Sequence, residues 1–290
     1  MEDMSTDKKN RLWLKIVIVF VVLSTFLGLY SRFVATSGII VHEYLIINED
    51  LPSYFHGLKV IHITDVHFGQ TIRKREFEHL VKRVNEYSPD IIIISGDLLD
   101  QHIEYTENDI RLIVRLLNSF EANIGKYIIT GNHDNLQSDF DELVDKSTFT
   151  NLDDDYEIVY NGGMTPILIA GMSSVYKGPL TAPDKVMDAL NAIEEYETPF
   201  NILVLHEPDI IEEISYNSFD LILAGHSHHG QIRFPLLGPL ALPSYSRKFH
   251  SGPYNLGDTQ LFVSNGLGTS SIRARLFNRP SINLYRLVTH

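Results

Sequence analysis

DIIIISGDLLD, residues 90–100, is the stretch whose reading decides the fold. Four successive isoleucines leave neither face of a strand polar, so Asp90–Ser95 reads as a strand covered on both sides. The run stops on Gly96 and is followed at once by two carboxylates, Asp97 and Asp100. The same event recurs four times in the chain. The strand Leu58–Thr64 runs into Asp65-Val66-His67, and Lys126–Thr130 into Gly131-Asn132-His133-Asp134. Asn201–Leu205 runs into His206, and Leu221–Ala224 into Gly225-His226-Ser227-His228-His229-Gly230. In open α/β sheets, ligands collect beyond the C-terminal ends of the strands. These five ends can bring carboxylates, one amide and four or five imidazoles into one crevice. That sulfur-free donor set suits Mn2+, Fe, Zn2+ or Ni2+.

The segments between these strands have the helical period. Lys74–Tyr87 puts Phe77, Leu80, Val81 and Val84 on one face. Asn108–Phe120, Phe140–Val144 and Asp184–Ile193 also read as helices. Further strands are expected at Ile39–Ile47, Pro166–Ala170, Gln260–Ser264 and Ile282–Val288, with a hairpin turn at Gly162-Gly163. Helices alternating with buried strands give an α/β fold in which helices cover sheet. The last third is richer in strand and turn, so the sheet is expected to be mixed.

Composition narrows the chemistry. The 290 residues include no cysteine, which excludes disulfides, thiolate catalysis and zinc ribbons. A hydrophobic content of 44% excludes a mainly disordered chain. Lys plus Arg number 24 and Asp plus Glu 37, a net charge of −13, so no nucleic-acid partner is expected. A phosphate substrate stays open, because metal ions can supply the positive charge.

The N-terminus reads as a membrane anchor. Lys8, Lys9, Arg11 and Lys15 precede or open an apolar run, and Ile16 to Ser31 holds no charge. As a helix, Leu12 to Ser31 spans roughly 30 Å, one hydrocarbon core. The division expected is a cytoplasmic tail over 1–11, a transmembrane signal-anchor over 12–35 and a catalytic domain over 36–290, with a hinge at Thr36 to Gly38. A signal peptide cleaved near Ala35-Thr36-Ser37 is the alternative. Basic residues ahead of the span place a single-pass protein with its N-terminus in the cytoplasm and its domain outside the cell membrane. An intracellular domain remains the alternative.

In chain order, D-x-H at Asp65 and His67, G-D-x-x-D at Gly96 to Asp100, G-N-H-D at Gly131 to Asp134, a strand-terminal His206 and G-H-x-H at Gly225 to His228 resemble the calcineurin-like metallophosphoesterases. The resemblance runs from Leu58 to Arg286. HEYLIINEDLPSYFHGLKVIHITDVHFG, GQIRFPLLGP and SNGLGTSSIRARLFNRPSINLYRL are similar to the membrane-associated bacterial subgroup, described as acting on lipid-linked or nucleotide phosphates. The resemblance implies a four-layer α-β-β-α sandwich of two mixed sheets, here preceded by one N-terminal transmembrane helix.

It also implies two divalent ions, Mn2+ first, with Fe, Zn2+ or Ni2+ as alternatives. Asp65, His67, Asp97 and His228 would hold one. Asp97, Asn132, His206 and His226 would hold the other, with Asp97 bridging. His133 would be no ligand but would sit over the substrate as imidazolium and assist the leaving oxygen, its ring oriented by Asp134. A bridging water of lowered pKa would be the nucleophile, so no nucleophilic side chain is needed.

Two positions depart from the subgroup. His229 stands where a glycine is usual, and reads as a solvent-facing bystander or an extra phosphate contact. Asn265 stands where arginine is usual. Arg273 and Arg275 read as solvated charges or as holders of a phosphate or lipid headgroup. Asp153-Asp154-Asp155 reads as a solvated loop. His42, His56, His62, His79, His102, His250 and His290 lack a spacing partner and carry no assigned role.

The expected function is a membrane-anchored, dinuclear metal-dependent hydrolase of a phosphate ester or pyrophosphate, with a phosphorylated small-molecule or lipid-linked substrate. The alternatives are a phosphomonoester or phosphodiester hydrolase merely retained at the membrane, and a non-catalytic binding module on the same fold.

Overall fold

The computed structural model describes residues 2–178 and 180–289, the side chains of residues 2–8 excepted. A long helix, α1 (Glu2–Leu29), is followed by β1 (Ile40–Ile47), β2 (Lys59–Ile63), α2 (Lys74–Asn85), β3 (Ile91–Ser95), α3 (Glu107–Asn118), β4 (Gly125–Ile129), α4 (Phe140–Asp145) and β5 (Thr150–Asn151). Then come β6 (Asp155–Val159), β7 (Ile167–Gly171), α5 (Met187–Tyr196), β8 (Asn201–Val204) and β9 (Leu221–Ala224). The short pair β10 (Arg233–Phe234) and β11 (Gly238–Pro239) precedes β12 (Gly252–Leu256), β13 (Thr259–Val263) and β14 (Ser281–Val288). One six-stranded sheet has the order β1-β14-β2-β3-β4-β5, the other β12-β13-β9-β8-β7-β6. β2, β3 and β4 run parallel, as do β7, β8 and β9. The β14–β2 and β6–β7 pairs are antiparallel, so both sheets are mixed.

Side-chain alternation along the isoleucine run sets the layers. Ile92 and Ile94 cluster with Phe77 and Leu80 of α2 and with Ile113 and Leu117 of α3. Ile91 and Ile93 cluster instead with Ile202, Val204 and Leu223 of the second sheet. On that sheet's far side, Leu203, Ile222 and Leu261 cluster with Ala189 and Ala192 of α5. Three apolar interfaces make four layers, helix–sheet–sheet–helix. Each buried isoleucine contributes about 1.5–3 kcal/mol, and β3 is apolar up to its last residue, Ser95.

Element ends follow local chemistry. α3 begins one residue earlier than its apolar period, because Thr106 and Asp109 form a reciprocal cap. α5 starts at Met187, and Asp184–Val186 forms a tighter turn ahead of it. The strands that periodicity does not announce are β5, β6, β10, β11 and β12. They are two-residue pairs or edge strands such as β6, whose exposed positions alternate with more covered ones.

Lys9–Val34 is long and apolar enough to cross a membrane, and its most apolar stretch is not covered by the rest of the protein. Its end is not a free hinge. After a π-helical turn at Tyr30–Val34, Ser31 and Ala35 are buried. The Ser31 hydroxyl donates to the Arg275 carbonyl (2.7 Å), the Arg275 amide donates to the Ser31 carbonyl (3.0 Å), and Arg279 Nη2 donates to the Ser37 carbonyl (3.0 Å). The expected hinge at Thr36 to Gly38 is therefore tied to the segment 275–280.

Candidate metal centre

The C-terminal ends of β2, β3 and β4 lie at one edge of the first sheet, and those of β8 and β9 face them from the second. Asp65 and His67 follow β2, Asp97 follows β3, Asn132 and His133 follow β4, His206 follows β8, and His226 and His228 follow β9. Asp97 sits between the groups. Its Oδ2 lies 3.5 Å from His67 Nε2 and 3.3 Å from His206 Nε2. His228 Nε2 is 3.4 Å from Asp65 Oδ1 and 3.0 Å from His67 Nε2, while His206 Nε2 is 3.2 Å from Asn132 Oδ1. Among the described residues, three groups of ligand atoms converge within 4.8 Å: Asp65, His67 and His228; Asp97, His206 and His226; and His67, Asp100 and His133, which shares His67 with the first.

The backbone is bent to make this possible. Asp65, His67, Asp97, His226 and His228 all have φ between 45° and 64°. That left-handed region costs a non-glycine residue on the order of 1 kcal/mol, so the turns after the strands hold strain where the ligands are. Two glycines permit the approach. A Cβ at Gly131 would stand 2.3 Å from Asp97 Oδ1, and one at Gly96 (φ 91°) 2.7 Å from His206 Nδ1.

The residues fit divalent metal ions. His206 Nδ1 is paired with the Ser95 carbonyl (2.7 Å) and His226 Nε2 with the Ser244 carbonyl (2.8 Å), which leaves the other ring nitrogen of each for the interior. A backing acceptor of this kind fixes the tautomer of a metal ligand. Charge points the same way. Burial works against a charged His206, yet Asp97 outweighs it and holds the imidazole well above its ordinary range. Burial likewise opposes a charged His67, and Asp100, Asp97 and Asp65 raise it nonetheless. Asp97 is held well below the carboxylate range against its burial, by His206 and His67. Buried carboxylates that draw protons onto neighbouring imidazoles are a site seeking positive charge.

His133 lies at the mouth. Its Nδ1 faces the Gln101 amide (3.2 Å), so the hydrogen-bond network assigns the ring proton to Nε2, which points toward Ser270 Oγ at 3.4 Å. Burial lowers its pKa to about 4. The free ring is therefore neutral at pH 7. A cleft of about 380 Å³ opens here over Asp97, His133 and His228, walled by Ile232, Leu240 and Ile272.

A model of the calcineurin-like phosphoesterase family matches residues 58–230, more than half of the chain. The chain belongs to that family. It is 28% identical over 267 residues to YkuE, an uncharacterized metallophosphoesterase of Bacillus subtilis, covering 89% of this chain and 88% of that one. It is 29% identical to a transmembrane protein with metallophosphoesterase domain from Danio rerio, covering 81% of this chain but only 54% of that protein. Among solved structures it is similar in fold to Haemophilus influenzae NAD nucleotidase, with TM-score 0.51, 16% identity and coverage of 72% of this chain and 45% of that one. The chain is thus a phosphoesterase hydrolase whose ligand clusters call for divalent metal ions.

Several residues of this metallophosphoesterase sit otherwise than expected. Asp134 does not orient the His133 ring. Its carboxylate accepts the backbone amides of Leu98, Leu99 and Gly131, and so pins the β3 and β4 ends together. Asp100 takes the place beside the rings, with Oδ2 3.3 Å from His67 Nδ1 and 3.7 Å from His133 Nδ1. The three-residue spacing from Asp97 was the signal for it. Arg275 is not solvated. It is fully buried, donates to the carbonyls of Asn265, Gly266 and Gly268, and lies 3.3 Å from His228 Nδ1. The two departures from the subgroup meet, with His229 Nδ1 2.7 Å from Asn265 Oδ1, so His229 is not a solvent-facing bystander. Asp153 and Asp154 are not a solvated loop either. Asp153 accepts from the Thr130 amide and from Lys177, and Asp154 from the Ser173 amide and the buried Lys185.

Proposed function

We propose that this protein is a membrane-anchored hydrolase that uses two divalent ions, Mn2+ foremost, to cleave a phosphate ester or pyrophosphate on a lipid-linked or nucleotide-linked substrate. One observation carries the proposal. Two ligand clusters, Asp65–His67–His228 and Asp97–His206–His226, meet at the single carboxylate of Asp97, with His133 at the mouth of the same cleft. Asn132 completes the second group. Ions bound there would neutralise the phosphoryl oxygens and make water a nucleophile at neutral pH.

The chain's own residues supply the rest. Asp97 takes a ligand place in both groups while its Oδ1 accepts the His133 amide (2.8 Å), so the same carboxylate positions the metal ligands and the proton donor. His133 presents Nε2–H to the cleft. A phosphate dianion beside it would raise its proton affinity, so the ring takes up a second proton with the substrate and, as imidazolium, gives the Nε2 proton to the leaving oxygen and returns to the neutral form. The apolar wall of Ile232, Leu240 and Ile272 suits a substrate with a hydrocarbon part. The domain lies outside the cytoplasm on the positive-inside rule.

The test is hydrolysis by the full-length protein, in detergent, of p-nitrophenyl phosphate and bis-p-nitrophenyl phosphate with added Mn2+. Metal-dependent turnover that disappears in Asp97→Asn supports the proposal. Turnover that persists in chelator overturns it.

A further inference from the structure

We propose that the β10–β11 hairpin is a second membrane contact: its tip enters the same bilayer that holds α1, so the metal cleft opens at the lipid–water boundary. This rests on reading α1 as a membrane span.

The first observation is exposure under strain. Leu236 and Leu237 at the hairpin tip are 105% and 84% exposed, with Leu240 beside them at 71%. Leu236 has φ 69°, in the left-handed region that disfavours leucine. Phe277, exposed as well, has φ 51°. Two large apolar side chains are thus held outward on backbone that is costly to form. Water gives no return for that arrangement, whereas hydrocarbon does.

The second observation is continuity with the anchor. The Arg233 amide donates to the Leu276 carbonyl (3.1 Å), and the Leu276 amide to the Gln231 carbonyl (3.1 Å), which ties the hairpin to the 275–277 segment. Arg275 in that segment is bonded in both directions to Ser31 at the end of the apolar helix. A short run of hydrogen-bonded backbone therefore joins the end of the span to the hairpin. Arg275 is fully buried within that join.

The third observation is charge. At the helix end, Arg32, Arg73 and Arg75 line a second cleft of about 680 Å³ together with His79 and with Arg83, which is paired with Glu86. Its acidic member, Glu76, is engaged by the Arg73 amide. Phe33 and Ile39 line that cleft beside its arginines, and apolar side chains next to arginines are the combination that an anionic headgroup layer accepts. Because Ile232 and Leu240 wall the metal cleft, a phosphoryl group carried on a lipid would reach His133 and Asp97 without leaving that layer.

The chain has no cysteine, so one introduced thiol carries one label. Full-length Leu237→Cys, Leu23→Cys and Met164→Cys, each labelled with an environment-sensitive fluorophore, are reconstituted into phosphatidylcholine–phosphatidylglycerol vesicles. Lipid carrying a spin label at a shallow or, in a parallel sample, at a deep acyl position is then included. Position 23 lies within the apolar run, and Met164 is an exposed control in the β6–β7 loop. The proposal expects positions 23 and 237 to lose about half their emission or more, and position 164 to keep its own. Quenching at 23 but not at 237 overturns the proposal and leaves the anchor standing. Quenching at neither overturns both. Equal quenching at 164 and 237 overturns it too, since the domain would then touch lipid without a preferred face.

Discussion

Replacing Asp97 with asparagine keeps the shape of the side chain and removes the charge that both ions would share in the proposed two-ion site. The expected effect can be worked through ligand linkage. Two ions, each supplied at a hundredfold excess over its dissociation constant, stabilise the folded state by about 5 kcal/mol. For a domain of this size that raises the melting temperature by about 10–20 °C over the chelated protein. If the lost carboxylate weakens both sites by about a hundredfold, each ion is left at its dissociation constant and the two together contribute about 0.8 kcal/mol, a rise of only about 2–3 °C. The assay is far-UV circular dichroism of full-length wild type and Asp97→Asn, melted with Mn2+ and with chelator, alongside metal analysis. Tryptophan fluorescence would not serve, because the single tryptophan, Trp13, lies in the N-terminal helix. Comparing metal-induced shifts, and not absolute melting points, removes any effect of the substitution on the metal-free fold. An Asp97→Asn protein that keeps two ions and the full shift would refute the shared-ligand reasoning.

His133→Ala should lower turnover of bis-p-nitrophenyl phosphate by about 10²–10⁴-fold while leaving metal content and the metal-induced shift as in wild type; loss of metal would place His133 among the ligands. Burial holds His62 at about 3. Between its ordinary value of 6.5 and that one, the unfolded chain binds a proton that the folded chain does not, so stability falls as pH drops below 6.5. His62→Phe, whose ring can still lie against Tyr285, should recover about 2 kcal/mol of the loss between about pH 7 and pH 5, read by urea titration of the chelated protein; parallel pH profiles would count against it. Asp154→Ala leaves the Lys185 ammonium buried without its carboxylate and should destabilise by about 2–4 kcal/mol. Lys185→Met, which removes the buried charge itself, should cost less, and the reverse order in urea denaturation would contradict the pairing.

Much of the fold was readable because burial on two faces leaves no alternative to the isoleucine run, and because the ligands follow strand ends at short spacing. That helices cover sheet needed only the isoleucine run and the amphipathic periods of 74–87 and 108–120, whereas the four layers came from the family resemblance and are seen in the three apolar clusters. The edge strands were hidden, since a strand paired on one side can be polar on alternate residues and carries no apolar signature. Side-chain roles failed where spacing could not show direction. Asp134 follows His133 directly, yet its carboxylate turns back onto three amides, while Asp100 reaches the rings from the neighbouring strand end. Arg275 stands among serines and reads as surface, but the carbonyls of 265–268, brought over by β13 and β14, enclose it. The pairing of His229 with Asn265 bridges 36 residues and had no local trace.

The position of β14 has a consequence for the order of assembly. It lies between β1 and β2, so the first sheet has a gap until Ser281–Val288 has been made. β1 must wait for residues 48–280 to be made before it finds its neighbour. The loop that cradles Asp65, residues 264–268, arrives nearly as late. With the N-terminal helix across a membrane as proposed, the site would be completed, and would meet its divalent ions, on the side that the C-terminal segment reaches, so the ion it holds would reflect that compartment as well as its ligands.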